Sequence, residues 1–121
     1  MYLVDTSVWI DHLRTANPKL IKALDLGIVA SHPYIIGELA LGSLKNRSSI
    51  IRSLKTLPSA TIARDKDVHT LIEERKIYGR GIGYIDCHLL ASILIEGTLT
   101  LWTHDKRLDQ IADEFRFKSH H

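Results

Sequence analysis

The stretch YLVDTSVWIDHL at residues 2–13 decides the fold of this chain. The apolar run Tyr2–Val4 is typical of a short buried strand, and the apolar residues that follow, through Leu13, recur at helical spacing. Thr6 is a suitable N-cap for that helix. A strand that passes directly into a helix indicates a β/α unit, and Asp5 lies at its junction.

The same alternation of short apolar runs and amphipathic stretches continues along the chain. Further strands are expected at Ile28–Ser31, Ala60–Ala63, Leu99–Thr103 and Phe115–Phe117. Helices are expected from Pro18 to a stop at Gly27, from Pro33 through Glu38, from Ser48 to Lys55, through Val68–Arg75 after a cap at Asp65 or Asp67, from Tyr84 to Glu96, and from Asp105 to Ala112. Strands that alternate with helices predict an α/β fold with a parallel sheet.

Composition indicates an ordinary globular chain. Its 121 residues are 45% hydrophobic and 25% charged, with a formal net charge of +2 and one cysteine. This length suits one domain, which we assign to residues 1–118, and Ser119–His121 is set apart as a tail, either native or a tag remnant. A lone cysteine favours a reducing, cytoplasmic setting, and neither a membrane span nor a signal peptide is apparent.

Four acidic residues interrupt or end apolar stretches: Asp5, Glu38, Asp86 and Asp105, called here the acidic quartet. An unpaired buried carboxylate is costly, and several together repel one another. Each acid alone is more simply a helix cap or a surface ion pair. Asp5 and Asp105 both follow strands, however, and ligands of open α/β sheets bind beyond the carboxyl ends of strands. Carboxylates without histidine or cysteine partners suit a hard cation such as Mg²⁺, which promotes phosphate-ester chemistry.

Four segments, in this order, resemble the PIN-domain ribonucleases, and in particular the toxins of VapBC toxin–antitoxin modules. They are VDTSVWIDHL at Val4–Leu13, IGELALG at Ile36–Gly42, GIGYIDCHLLASI at Gly81–Ile93 and LWTHDKRL at Leu101–Leu108. The resemblance covers essentially the whole chain. It implies a three-layer α/β/α domain with a central, mainly parallel sheet, and Mg²⁺- or Mn²⁺-dependent endonucleolytic cleavage of RNA, often a structured RNA such as tRNA.

The resemblance also implies roles for individual residues and partners. The acidic quartet would bind the metal and carry out catalysis, and Thr6 and Thr103 match hydroxyl positions beside the acids. Lys106 and Arg107 adjoin Asp105 and are assigned to substrate binding. The expected partners are RNA, a VapB-type antitoxin and a second copy of the chain in a homodimer. Operator DNA would be bound only indirectly, through the antitoxin, and no membrane partner is expected.

Two surfaces are further candidates for binding. Clusters of basic residues that could neutralise RNA phosphates, or simply be solvated, are Lys45, Arg47, Arg52 and Lys55, then Arg75, Lys76 and Arg80, then Lys106 and Arg107. Residues that could form an apolar groove for the antitoxin, or belong to the core, are Val8, Trp9, Leu13, Tyr34, Ile35 and Leu39. The glycine loop Gly79–Gly83 lacks the Gly-Lys-Ser/Thr ending of a P-loop.

Two other readings stay open at this point. An aspartyl-phosphate phosphatase also has an Asp after its first strand, but needs a second Asp two residues later, where this chain has Ser7. A receiver domain would need adjacent acids near that strand and a lysine after a late strand. The non-enzymatic alternative is an RNA-binding or regulatory PIN module, and metal-dependent RNA cleavage separates it from the nuclease.

Overall fold

Three short parallel strands form the centre of the protein in a computed structural model that describes residues 1–117. They are β1 (Tyr2–Val4), β2 (Val29–Ala30) and β3 (Thr100–Trp102), arranged in the order β2-β1-β3. In the central strand, Leu3 pairs with Ala30 on one side and Leu101 on the other. All three strands therefore end at the same edge of the sheet, where the chain following each one must lie.

Helices account for most of the remaining described chain. They are α1 (Thr6–Arg14), α2 (Pro18–Asp25), α3 (Pro33–Leu41), α4 (Arg47–Leu54), α5 (Asp65–Glu74), α6 (Tyr84–Glu96) and α7 (Lys106–Glu114). The predicted α/β/α architecture with a parallel sheet is confirmed. Within residues 1–117, none of the helices is both long and apolar enough to cross a membrane. The last residue of the predicted domain, 118, and the tail Ser119–His121 lie outside the described residues.

Four helix starts, those of α1, α4, α5 and α7, differ from the predictions. The Asn17 side chain caps α2 as its neighbour Pro18 suggested, accepting hydrogen bonds from two backbone N–H groups. The N-cap of α1, however, is Asp5, and Thr6 is the first helical residue. Similarly, α5 is preceded by Arg64 at the cap, with the acids predicted as caps lying inside its first turn. These shifts leave the Thr6 hydroxyl free to bond outside its own helix.

The strand predicted at Ala60–Ala63 is wrong. Only an isolated bridge joins Ser31 to Ser59, because β2 is two residues long and offers little to pair with. The backbone of Thr61 bonds to α6 instead: its N–H donates to the Glu96 carboxylate and its carbonyl accepts from the Ser92 hydroxyl. Side chains of a helix therefore satisfy the polar groups that a strand would have paired.

The strand predicted at Phe115–Phe117 is also wrong. Helix α7 continues to Glu114, and Arg116 then turns the chain with a positive φ of 60°. The Phe117 N–H donates back to Ala112, as at the end of a helix, although its carbonyl accepts from Leu101 of β3. A single strand-like bond remains, which is too little for a fourth strand.

Candidate active site

Asp5 anchors the site at the junction of β1 and α1. Its side chain is only 5% exposed, and Oδ2 accepts hydrogen bonds from Ser7 Oγ and Thr103 Oγ1, each at 2.8 Å. The backbone N–H groups of His104 and Asp105 in turn donate to these two hydroxyls, both at 3.0 Å. Each hydroxyl donates its one proton to the carboxylate and accepts a hydrogen bond from a backbone N–H, so every donor in this chain of bonds points toward Asp5. Such a directed chain polarises and orients its acceptor.

Glu38 approaches from α3. Its Oε1 accepts a hydrogen bond from Thr6 Oγ1 at 2.8 Å, and its side chain is otherwise exposed. The first residue of α1 thereby ties Glu38 to the end of β1. The structure thus places both threonines predicted beside the acids, Thr6 and Thr103, in hydrogen bonds with members of the quartet.

Asp105 is the N-cap of α7, three residues after the end of β3. Its Oδ1 accepts from the N–H groups of Arg107 and Leu108, both at 3.0 Å. The sequence predicted Asp105 as the first residue of the helix. The helix begins one residue later, at Lys106, so Asp105 is its N-cap and its carboxylate accepts the hydrogen bonds of the first turn. A negative charge at a helix N-terminus is also favoured by the helix dipole.

Asp86 lies in the first turn of α6 and shows that the quartet is assembled. Its Oδ2 accepts from the Gly83 N–H at 3.1 Å, which closes the start of the helix. The pKa of the Asp86 carboxyl is raised to about 6, by burial first and by repulsion from the other three quartet members in addition, against the lowering effect of that hydrogen bond. Acids from four separate elements are therefore close enough for their charges to interact.

Each quartet carboxylate uses one oxygen for the hydrogen bonds that hold it. These oxygens are Oδ2 of Asp5, Oε1 of Glu38, Oδ2 of Asp86 and Oδ1 of Asp105. Among residues 1–117, the second oxygen of each accepts no hydrogen bond, and no ion pair includes any of the four. In that same part of the chain, no group of three or more acidic, histidine or cysteine side chains is arranged so that it could hold a metal ion as it stands. The quartet is thus a set of oriented, uncompensated oxygen donors without a finished coordination shell.

Basic side chains flank the quartet on α7. Lys106 and Arg107 are exposed at the first two positions of that helix. Arg107 lies over the glycine loop, where a Cβ added to Gly81 would come within 2.5 Å of its Nη1. Gly81 also has a φ of +84°, which favours glycine, whereas the exposed Arg107 side chain could move aside for an added Cβ. A two-bond ion pair between Arg80 and Glu114, at 2.6 and 2.8 Å, fastens the same loop to α7.

One polar pair beside the site was not predicted. His104 Nδ1 lies 2.6 Å from Asp11 Oδ2, with both side chains exposed. The two residues are far apart in the sequence and sit in no recognisable spacing, so no local pattern could have indicated the pair. Ser7, whose hydroxyl donates to Asp5, stands where an aspartyl-phosphate phosphatase would need its second Asp.

The predicted apolar groove is partly wrong. Val8, Ile35 and Leu39 are fully or almost fully buried in the core, which excludes them from any docking surface. Trp9 and Leu13 do line a groove of about 540 Å³, together with Leu24 of α2 and the apolar residues of α4 and the turn after it: Ile50, Leu54 and Leu57. We call this the apolar groove. Both tryptophans belong to the core, and Trp102 packs edge-on against Tyr2.

Comparisons with known proteins agree with this geometry. The PIN domain family model matches residues 2–114. Two curated relatives, each named Ribonuclease VapC32, come from Mycobacterium tuberculosis strains CDC 1551 / Oshkosh and ATCC 25618 / H37Rv. Each is 44% identical over 114 residues, which cover 94% of this chain and 92% of the relative. The quartet, its order along the chain and these matches lead to one conclusion: the chain belongs to the PIN-domain family, as a member of its VapC type.

Proposed function

We propose that this protein is an endoribonuclease that cleaves RNA phosphodiester bonds with Mg²⁺ or Mn²⁺ held by the acidic quartet. The observation that carries the proposal is the quartet itself. Four uncompensated carboxylates stand at the carboxyl edge of a parallel sheet, in a chain 44% identical to a named ribonuclease. Structural carboxylates of this kind would normally be paired, and these are not.

The donor set fits a hard divalent cation. All candidate ligands are carboxylate oxygens, and each acid keeps one oxygen free of hydrogen bonds within residues 1–117. Exposed Glu38 and Asp105 would have to rotate to complete a shell, since residues 1–117 hold no finished one. When bound, Mg²⁺ or Mn²⁺ would acidify a water molecule and neutralise charge on the phosphodiester.

The residues of this chain would divide the remaining work. Ser7 and Thr103 orient Asp5, which is too buried to reorient itself. Asp86, whose pKa is raised to about 6, is mostly ionised at neutral pH, and a bound cation would relieve the cost of that buried charge. Lys106 and Arg107, exposed beside Asp105, bind the phosphates next to the scissile bond.

The test is cleavage of total cellular RNA by purified, antitoxin-free protein, with Mg²⁺ or Mn²⁺ against EDTA. Asp5→Asn keeps an acceptor for both hydroxyls but removes the charge, and should abolish cleavage. Asp25→Asn on exposed α2 is the matched control and should cleave normally. Discrete metal-dependent fragments that disappear in Asp5→Asn support the nuclease, and sequencing their ends would show whether tRNA is the target. Folded protein that cuts no RNA with either metal would refute it in favour of a binding module.

We further propose that a VapB-type antitoxin from the same module inhibits the enzyme, since VapC-type proteins are named for such modules. The apolar groove between α1, α2 and α4 is its proposed seat, because an amphipathic segment could bury apolar residues there. Operator binding would follow only through that partner. A homodimer and a cytoplasmic location belong to the same proposal, and buried, free Cys87 is compatible with a reducing compartment. Light scattering of the purified protein would decide the dimer.

A further inference from the structure

Charge is segregated strongly along this chain. Between Glu38 and Asp65 there is no acidic residue at all, although the whole chain has 14. The same stretch, residues 39–64, holds five of the 16 lysines and arginines. The near-neutral net charge of +2 therefore conceals a locally cationic region, and α4 is its centre.

This region forms a groove rather than a scattered surface. The space between α3 and α4, about 590 Å³, is lined by Arg47 and Arg52 of α4, by Lys55 at the end of that helix, and by Ile36, Gly37 and Ala40 of α3. We call it the α3–α4 groove. Gly37 leaves its floor open, because a Cβ there would meet no atom within 4 Å. Arg47 braces the groove by donating from Nε to the Ala40 carbonyl at 2.6 Å.

The cations of the groove have no carboxylate partner among the residues that the structure describes. No ion pair among residues 1–117 includes Arg47, Arg52 or Lys55, whereas Arg64 and Arg80 are paired with carboxylates. All three groove cations are exposed. Unpaired cations aligned on one wall of a groove fit a ligand with repeated negative charge, such as a nucleic-acid backbone.

The groove also adjoins the acidic quartet. Gly37 lines the groove and the next residue, Glu38, belongs to the quartet. Consecutive residues of a helix point about 100° apart, so the two sites occupy neighbouring faces of α3. The opposite side of α4 lines the apolar groove through Ile50 and Leu54. One helix therefore separates a surface suited to a polypeptide from a surface suited to a polyanion.

We propose that the α3–α4 groove binds the phosphate backbone of the substrate RNA beyond the cleavage point, so that the strand reaches the quartet along α3. This inference rests on the proposed function, because it takes RNA as the substrate. It assigns Arg52 and Lys55 to backbone contacts that are independent of base sequence. Arg47 is left aside as a test position because it also supports α3.

The experiment measures binding of fluorescein-labelled bulk tRNA to Asp5→Asn protein in EDTA, between about 50 and 200 mM NaCl. The groove variant is Arg52→Gln/Lys55→Gln. The matched control is Lys19→Gln/Lys22→Gln on exposed α2, which removes the same charge. We expect the groove variant to bind at least about fivefold more weakly at low salt, with a slope of log Kd against log salt that falls by about 1.4 to 1.8. The control should keep its slope.

The outcomes separate this inference from the proposed function. If protein with intact Asp5 cleaves RNA and the groove variant matches the control in slope and cleavage, the groove inference is overturned and the nuclease stands. If the groove variant loses its salt slope but intact protein cuts no RNA, the groove stands as a site for the RNA backbone, while the nuclease and the path of the strand to a cleavage point are overturned. If the groove variant binds RNA normally and instead escapes the antitoxin, the groove serves an acidic protein segment and the inference is overturned. Unchanged thermal unfolding of both variants verifies that they are folded.

Discussion

The substitution Asp86→Asn should make the metal-free protein more stable at neutral pH. The pKa of the Asp86 carboxyl is raised from 3.8 to about 6 in the folded protein, by burial first and by the rest of the quartet next. A difference of about two units corresponds to about 3 kcal/mol, since each unit is worth 1.36 kcal/mol. Partial exposure of the side chain screens some of that, so we expect a gain of about 1 to 3 kcal/mol. An asparagine can still accept the Gly83 hydrogen bond.

The gain has a characteristic pH dependence. Below pH 3.8 the carboxyl is protonated in both the folded and the unfolded chain, so Asp86 costs nothing there. Between 3.8 and about 6 the folded state holds a proton that the unfolded state has released, and stability falls as pH rises. Above about 6 the cost is complete and constant. The difference between variant and wild type should therefore grow across this interval and then level off.

The assay is urea denaturation of both proteins in EDTA at pH 4, 5, 6 and 8, with Asp25→Asn as a control for the loss of an exposed acid. Titrating groups outside the quartet contribute equally to wild type and variant and cancel, whereas relief of repulsion on the other three quartet acids is part of the expected gain. A melting temperature about 4 to 12 °C higher at pH 8 would accompany the gain. Added Mn²⁺ should stabilise the wild type and leave Asp86→Asn nearly unchanged. A variant no more stable than wild type at pH 8, or a difference independent of pH, would refute the argument that burial and the neighbouring acids destabilise the ionised Asp86 carboxylate.

Three further predictions concern the surroundings of the site. Gly81→Ala should lower the free energy of unfolding by about 1–2 kcal/mol, because of its positive φ, and should also weaken RNA binding by displacing Arg107. Gly79→Ala has a similar φ but no atom near the added Cβ, so it should lower stability without weakening RNA binding. Denaturation and RNA-binding assays of both variants would check this. Thr103→Val removes a hydroxyl donor to Asp5, so kcat should fall and the free energy of unfolding should drop by about 1–3 kcal/mol. Thr103→Ser keeps the hydroxyl and should retain both, and equal behaviour of the two variants would contradict this role. Burial, with a smaller contribution from a neighbouring histidine, lowers the pKa of His32 from 6.5 to about 4. The free energy of unfolding should therefore fall by up to about 3 kcal/mol as pH drops from 6.5 toward 4. His32→Asn can still cap the helix, and its free energy of unfolding, measured by denaturation, should depend less on pH over this range.

Local sequence patterns were sufficient to predict elements that are determined by interactions between residues close together in the sequence. The run Tyr2–Val4 followed by Asp5 specifies a strand and a helix start, and Pro18 after Asn17 specifies another. Parallel pairing then brings the chain after β1 and after β3 to one edge, so Asp5 and Asp105 could be placed together before any coordinates.

Contacts between residues far apart in the sequence, which compete with local preferences, could not be predicted in the same way. The segment Ala60–Ala63 has strand-like composition, but α6 side chains satisfy the backbone of Thr61, and only tertiary structure reveals such partners. Likewise, Val8 and Leu39 have the apolar character of groove residues, but their complete burial follows from packing between distant elements. The Asp11–His104 pair joins opposite ends of the sequence with no periodic signal.

The charge arrangement raises a question of how RNA approaches the quartet at all, since four uncompensated acids repel phosphates. Cations assist only within about one Debye length, roughly 10 Å at 0.1 M salt, so attraction must come from groups next to the acids. Lys106 and Arg107 adjoin Asp105 on one side, and the α3–α4 groove adjoins Glu38 on the other. Without metal, RNA should therefore bind to these flanking cations without contacting the quartet. A divalent ion would be needed to neutralise the negative charge of the quartet before a phosphate could approach it. Metal should consequently increase cleavage far more than it increases RNA affinity, and a metal requirement for binding of the same size as that for cleavage would contradict this division of labour.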